Sequence, residues 1–135
     1  MRLVLASLLL LACARLEAAV AVLNAGLGGH LHMDGDQVRD LLLGRITTWS
    51  DGSPVVIVLC SDPSGEEAVS TLTGRSTALL LRGWKRLVFS GTGAMPLLVS
   101  SVHDGMEQVS RHRGAILVLM AAMPVEGVRI VPLGR

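Results

Sequence analysis

Aromatic side chains are almost missing from this chain: Trp49, Trp84 and Phe89 are the whole set, with no tyrosine. That excludes the stacking platforms on which single-stranded nucleic acids are held. An excess of one charge is missing as well. The formal net charge is +1, and with Arg2, Arg15 and Glu17 set aside ten basic residues face ten acidic ones. Bulk attraction for a polyanion is therefore excluded, and no nucleic-acid partner is expected. Cysteine is limited to Cys13 and Cys60, so loss of the first with an N-terminal signal leaves no internal disulfide to form. Cys60 has Ser61 and Asp62 beside it rather than the cationic surroundings that activate a thiol, and reads as a quiet, half-buried residue. Walker A, dinucleotide, Cys-x-x-Cys, His-Glu-x-x-His and Gly-x-Ser-x-Gly patterns do not occur. With no nucleophile paired to a base, neither an enzyme nor a cofactor is expected.

What the chain does have is apolar content. Half of its 135 residues are hydrophobic, enough for the core of one domain. Residues 1–18 read as an export signal. Arg2 supplies a positive start, Leu3–Ala12 is an apolar run too short to span a bilayer, and small residues follow at Ala12–Ala14 and Ala18-Ala19. Leu10-Leu11-Ala12-Cys13 also resembles a bacterial lipobox, which would make Cys13 a lipid-bearing N-terminus. Residues 19–135 are then the folded unit, exported to the periplasm, soluble or anchored through Cys13.

The most ordered local pattern runs from Asp34 to Pro54. Asp34 with Gln37 makes a capping box, Val38, Leu41 and Leu42 form an apolar stripe, and Gly44 falls where a left-handed helix end belongs. Asp51-Gly52 and Ser53-Pro54 then turn the chain into the apolar run Val55–Leu59. Upstream, Val20–Asn24 reads as a strand. Downstream, Ser64 and Glu67 form a second capping box that opens a helix ending at Thr73-Gly74. Ser76 caps a helix over Thr77–Val88, with Leu80, Leu81, Trp84, Leu87 and Val88 on one face. Gly83 inside that helix implies close packing against it. Ser101 and Asp104 open a helix to about His112, with Val102, Met106 and Val109 inward, and Ala115–Met120 reads as a strand covered on both faces. Val128–Val131 is a last strand. This alternation predicts an α/β fold, a three-layer sandwich with a mostly parallel sheet.

The segment Asp36, Val38, Leu41–Arg45, Trp49, Asp51, Gly52, Val55 resembles the D-x-L-x-x-I-F-L-G-K-x-x-x-W-x-D-G-x-x-V pattern of PstS-like periplasmic phosphate-binding proteins. These are the substrate-binding components of phosphate ABC transporters. Phe89–Gly93 with Pro96 is similar to that family's F-x-G-x-G-x-x-P loop, and Gly114-Ala115-Ile116 to its Gly-Ala-Ile-Gly-Tyr strand, with Leu117-Val118 replacing the last two residues. The resemblance implies one lobe of a type II periplasmic binding protein and a phosphate or similar small oxyanion as ligand. It also implies a membrane transporter or sensor as partner. It places the ligand at Ser64 and Gly65, matching a Ser-Gly-Thr-(Thr/Arg) sequence at a helix N-terminus, with Ser90, Gly91 and Thr92 as a second contributing loop. Glu66 and Glu67 depart from that pattern. Two carboxylates in the first turn satisfy the helix dipole themselves and repel an incoming anion.

Length raises the same issue, because a binding protein that closes two lobes around a ligand needs about twice this chain. Three arrangements follow: an open anion face, a cleft completed by a partner, or an interaction module that kept the lobe and lost the ligand. Other clusters say less. His30 and His32 with Asp34 and Asp36 fall short of a converging ligand set, since Asp34 is spent as a cap, and no metal site is expected. His103-Asp104 has no nucleophile to serve. Arg82, Lys85 and Arg86 form a basic ridge, a solvated face or a dock for an acidic partner.

Overall fold

The computed structural model describes residues 18–28 and 33–134. In chain order they form β1 (Val20–Asn24), α1 (Gly35–Leu42), β2 (Val56–Cys60), α2 (Pro63–Thr73) and α3 (Thr77–Phe89). β3 (Leu97–Val99), α4 (Val102–Arg111), β4 (Ala115–Leu119) and β5 (Val128–Pro132) complete the set. The strands make one sheet in the order β3-β2-β4-β1-β5. β2 pairs in parallel with β3 and β4, whereas β1 runs antiparallel to both β4 and β5. Four of the five strands thus share a direction and β1 alone opposes them.

Strand alternation divides the core into two layers. Ala21, Leu23, Ile57, Leu59, Ile116 and Val118 face α1, α2 and α3; Val22, Val58, Cys60, Leu117 and Leu119 face α4. Every residue of β4 is buried, as its unbroken apolar run predicts for a strand covered on both sides. The three-layer sandwich expected from the sequence is what forms.

The conspicuous Asp34–Pro54 stretch turns out to be scaffolding. Asp34 caps α1 by accepting the Gln37 N–H at 2.8 Å. Gly44, at φ +76°, has the left-handed backbone that favours glycine, and a Cβ there would also push the Leu87 side chain aside. The two indoles then tie distant elements together. Trp84 Nε1 donates to the Leu42 carbonyl at 2.8 Å, fastening α3 to the end of α1. Trp49 Nε1 donates to the Gly114 carbonyl at 2.9 Å, fastening the turn before β2 to the entry of β4. Asp51 accepts from the Ser53 hydroxyl and amide and from the Arg113 guanidinium, which together hold its carboxyl down to about 2.

Four local readings change. The strand expected at Val55–Leu59 sits one residue later. β3, which follows Pro96, has only three residues and carries no helix or strand period of its own. α2 is capped by Asp62 and not by Ser64: Pro63 occupies the first turn, where its missing N–H costs nothing, and the Asp62 carboxylate accepts the Gly65 N–H at 2.9 Å. Gly83 is not a close-packing glycine, because a Cβ at that position meets nothing within 4 Å. Gly83→Ala is therefore expected to stabilise the protein by about 0.5–1 kcal/mol, read as a higher midpoint in urea with an unchanged slope.

Candidate functional site

In an open α/β sheet the place for a ligand is outside the carboxyl ends of the parallel strands. Here that edge gathers three segments. β2 leads through Ser61 and Asp62 into α2, β3 leads through Ser100 and Ser101 into α4, and β4 leads into the segment 120–124. Two helix N-termini therefore open on one edge, each with amides directed outwards. Both are already capped by side chains of the chain itself. Asp62 takes the Gly65 amide, and Ser101 Oγ takes the Asp104 amide at 3.1 Å.

Ser64 and Gly65 lie at this edge, in the first turn of α2. The Ser64 hydroxyl accepts the backbone N–H of Met120 at 3.0 Å, joining α2 to the end of β4. Gly65 is buried, and a Cβ on it would stand 2.2 Å from the Cys60 carbonyl oxygen and 2.8 Å from Cys60 Cβ. Its lack of a side chain is thus a packing requirement between α2 and β2. The Gly65 N–H, the group that would greet an anion, is directed at a carboxylate. Glu66, half-buried, adds a second negative charge in the same turn.

Ser90, Gly91 and Thr92 lie elsewhere. They follow α3 and precede β3, at the end of the sheet where the parallel strands begin; neighbouring Gly93 approaches Trp84 and Thr47 there. Ser90 Oγ donates to the Leu87 carbonyl at 2.8 Å, Gly91 N–H to the Val88 carbonyl and Thr92 N–H to the Leu87 carbonyl. These donors close a helix C-terminus, where the dipole is negative. The fold does not bring this loop together with Ser64 and Gly65.

Of the remaining candidates, His30, His32 and Cys13 lie outside the described residues. Cys60 is buried, its thiol donates to the Asp62 carboxylate at 3.3 Å, and desolvation pushes its pKa up. The residue expected to be half-buried is thus fully enclosed, because it lies in the layer of the sheet that faces α4. On α4, His103, Asp104 and Glu107 hold their ligand atoms within 4.8 Å of one another. All three sit on the solvent side, and Glu107 is engaged by Arg111. The residue that the sequence reading passed over is Asp62. Its signal was there: Asp immediately before Pro is a helix start in which the acid caps and the proline takes the first turn.

No protein-family model matches the sequence, and no curated protein does. Solved structures do. The chain is similar to a protein of Clostridium perfringens described as a phosphate ABC transporter substrate-binding protein with bound phosphate (TM-score 0.60, 17% identity). It is also similar to an ABC-type phosphate transport receptor of Vibrio cholerae (TM-score 0.59, 16% identity). Both alignments cover 84% of this chain and 45% of the other, so the chain spans under half the length of the proteins it resembles. At this identity the likeness is one of fold: a mixed α/β sheet with helices on both faces, matching part of one lobe of a periplasmic binding protein.

Proposed function

We propose that this chain is an exported, solute-binding-like lobe that serves a transporter or sensor by contacting protein, its anion position taken by its own Asp62 carboxylate. One observation carries the reading: the Gly65 N–H, at the helix end where an oxyanion would be received, is bonded to Asp62 Oδ1 at 2.9 Å. A phosphate arriving at that amide meets Asp62 and Glu66 as like charges. The fold supports the receptor-like half of the proposal, and the capped helix end supports the half that leaves the anion position filled. Export rests on the signal-like residues 1–18, with Cys13 as the point of lipid attachment if the lipobox is used. No reaction is assigned to the chain.

A second reading, direct binding of phosphate or a related oxyanion at Ser64 and Gly65, has one observation in its favour: a structural neighbour of this fold is described with phosphate bound. Titration calorimetry separates the two. With residues 19–135 at low salt, phosphate up to about 10 mM is expected to give no saturable heat, which places any affinity weaker than about −3 kcal/mol. Saturable binding that Ser64→Ala weakens tenfold or more would establish the oxyanion reading instead.

A further inference from the structure

The basic ridge noted in the sequence lies beside a groove. Between α3 and the end of α1 runs a depression of about 350 Å³ lined by Leu42, Leu43, Leu80, Trp84 and Leu87, with Arg75, Arg86 and Ser90 at its rim and Gly83 beside them. Leu80, Gly83, Leu87 and Ser90 follow one another along a helix, so the groove extends for about 15 Å. Its walls are apolar and its rim is cationic. Arg82 and Lys85 stand exposed on the outer side of the same helix, and no acidic residue occurs anywhere in Thr77–Phe89.

Charge is what makes this surface unusual. Among the described residues, Arg45, Arg111 and Arg113 are paired to carboxylates; Arg39 and Arg129 stand unpaired singly, whereas Arg75, Arg82, Lys85 and Arg86 are unpaired together along and beside one helix. These four are a large share of the ten basic residues beyond residue 18, and the other six face ten acidic ones. Residues 19–135, neutral in total, thus carry one positive face on an otherwise acidic body. Two large apolar side chains flank it: Leu79 is 51% exposed and Phe89 is 91% exposed.

We propose that this groove docks an acidic, partly apolar segment of a partner protein. Apolar side chains of that segment lie against Leu80, Trp84 and Leu87, and its carboxylates meet Arg75 and Arg86 at the rim, with Arg82 and Lys85 steering the approach. The length and concavity select a peptide segment: a bilayer offers no side chain to fill a groove, and the scarcity of aromatics argues against a nucleic acid. The assignment rests on the interaction-lobe reading and names the kind of partner. It is independent of the edge at Asp62, because α3 reaches the opposite end of the sheet.

The test uses residues 19–135 and a fluorescein-labelled peptide of repeating Glu-Glu-Leu-Leu, with its Lys-Lys-Leu-Leu counterpart as control, read by anisotropy. The acidic peptide is expected to bind saturably and the basic one not to bind. Arg75→Glu/Arg86→Glu should weaken binding at least tenfold. Gly83→Gln, which projects a side chain into open space and improves the helix, should weaken it with no loss of thermal stability. Binding that both variants leave unchanged would overturn the proposal. So would binding to phosphatidylglycerol vesicles with none to the acidic peptide, which would make the face a lipid surface. Failure of the peptide while phosphate also gives no heat removes this groove but leaves the interaction-lobe reading standing. Saturable phosphate binding removes that reading itself.

Discussion

Trp84→Ala is expected to cost about 3–5 kcal/mol. The indole is 5% exposed, fills the space between α1 and α3, and donates to the Leu42 carbonyl at the end of α1. Set against a total stability of about 5–15 kcal/mol, this removes about a fifth or more of the folding free energy. Trp84→Phe divides the effect. It keeps most of the ring but strands the Leu42 carbonyl, for which about 1–3 kcal/mol is the usual penalty. Urea melts of the two variants check both numbers. A loss under 1 kcal/mol for Trp84→Ala would mean that α3 is not fastened to the core in the way described.

Gly65→Ala is the second large effect, and it bears on function. The added methyl would lie 2.2 Å from the Cys60 carbonyl oxygen, a backbone atom of a strand with β3 on one side and β4 on the other. Neither partner can rotate away, so α2 must shift as a body. An overpacking loss of about 1–3 kcal/mol follows, or roughly 4–12 °C in Tm for a domain of this size. In a working anion site the glycine would be there to let a ligand approach the backbone. Here it faces Cys60 instead. A variant that keeps wild-type stability would show that this close approach is absent and that Gly65 needs another explanation.

Much of the fold was legible because the punctuation is local. Asp34, Ser76 and Ser101 each cap the helix that their position announced, and Gly44 and Gly74 each end one with a positive φ. The alternation of apolar runs gave the layers. What stayed hidden was non-local. Nothing within Val20–Asn24 tells that this strand opposes the other four, since direction is set by which neighbours it finds. β3 is three residues on the sheet edge, too short for any period to register. The capping-box pattern singled out Ser64 for the helix at Pro63, but the proline before that serine takes the first turn and leaves Asp62 as the cap.

The site was less legible than the fold, for a physical reason. The residues that carry the resemblance most specifically, Gly44, Trp49, Asp51 and Gly52, form a left-handed helix end, an indole tether to Gly114 and a turn held by Ser53 and Arg113. They specify how the lobe is built and touch no ligand position. Ser64 and Gly65 do sit at the carboxyl edge of the parallel strands, yet each is engaged within the protein, by Met120 on one side and by Asp62 and Cys60 on the other. The groove beside α3 left no linear trace, because Leu42 and Leu43 meet Arg75 and Arg86 only after α1 and α3 pack together.

The most direct test of the account is the Gly65 amide itself, followed by heteronuclear NMR as phosphate is added at constant ionic strength. If the Asp62 carboxylate occupies the helix end, the Gly65 cross-peak should stay within a linewidth through millimolar phosphate, as should Ser64. An Asp62→Ser variant, which keeps a cap while removing the charge, should then be the form in which the peak moves. A saturable shift of Gly65 in the wild-type chain would contradict the account and return the lobe to the oxyanion binders.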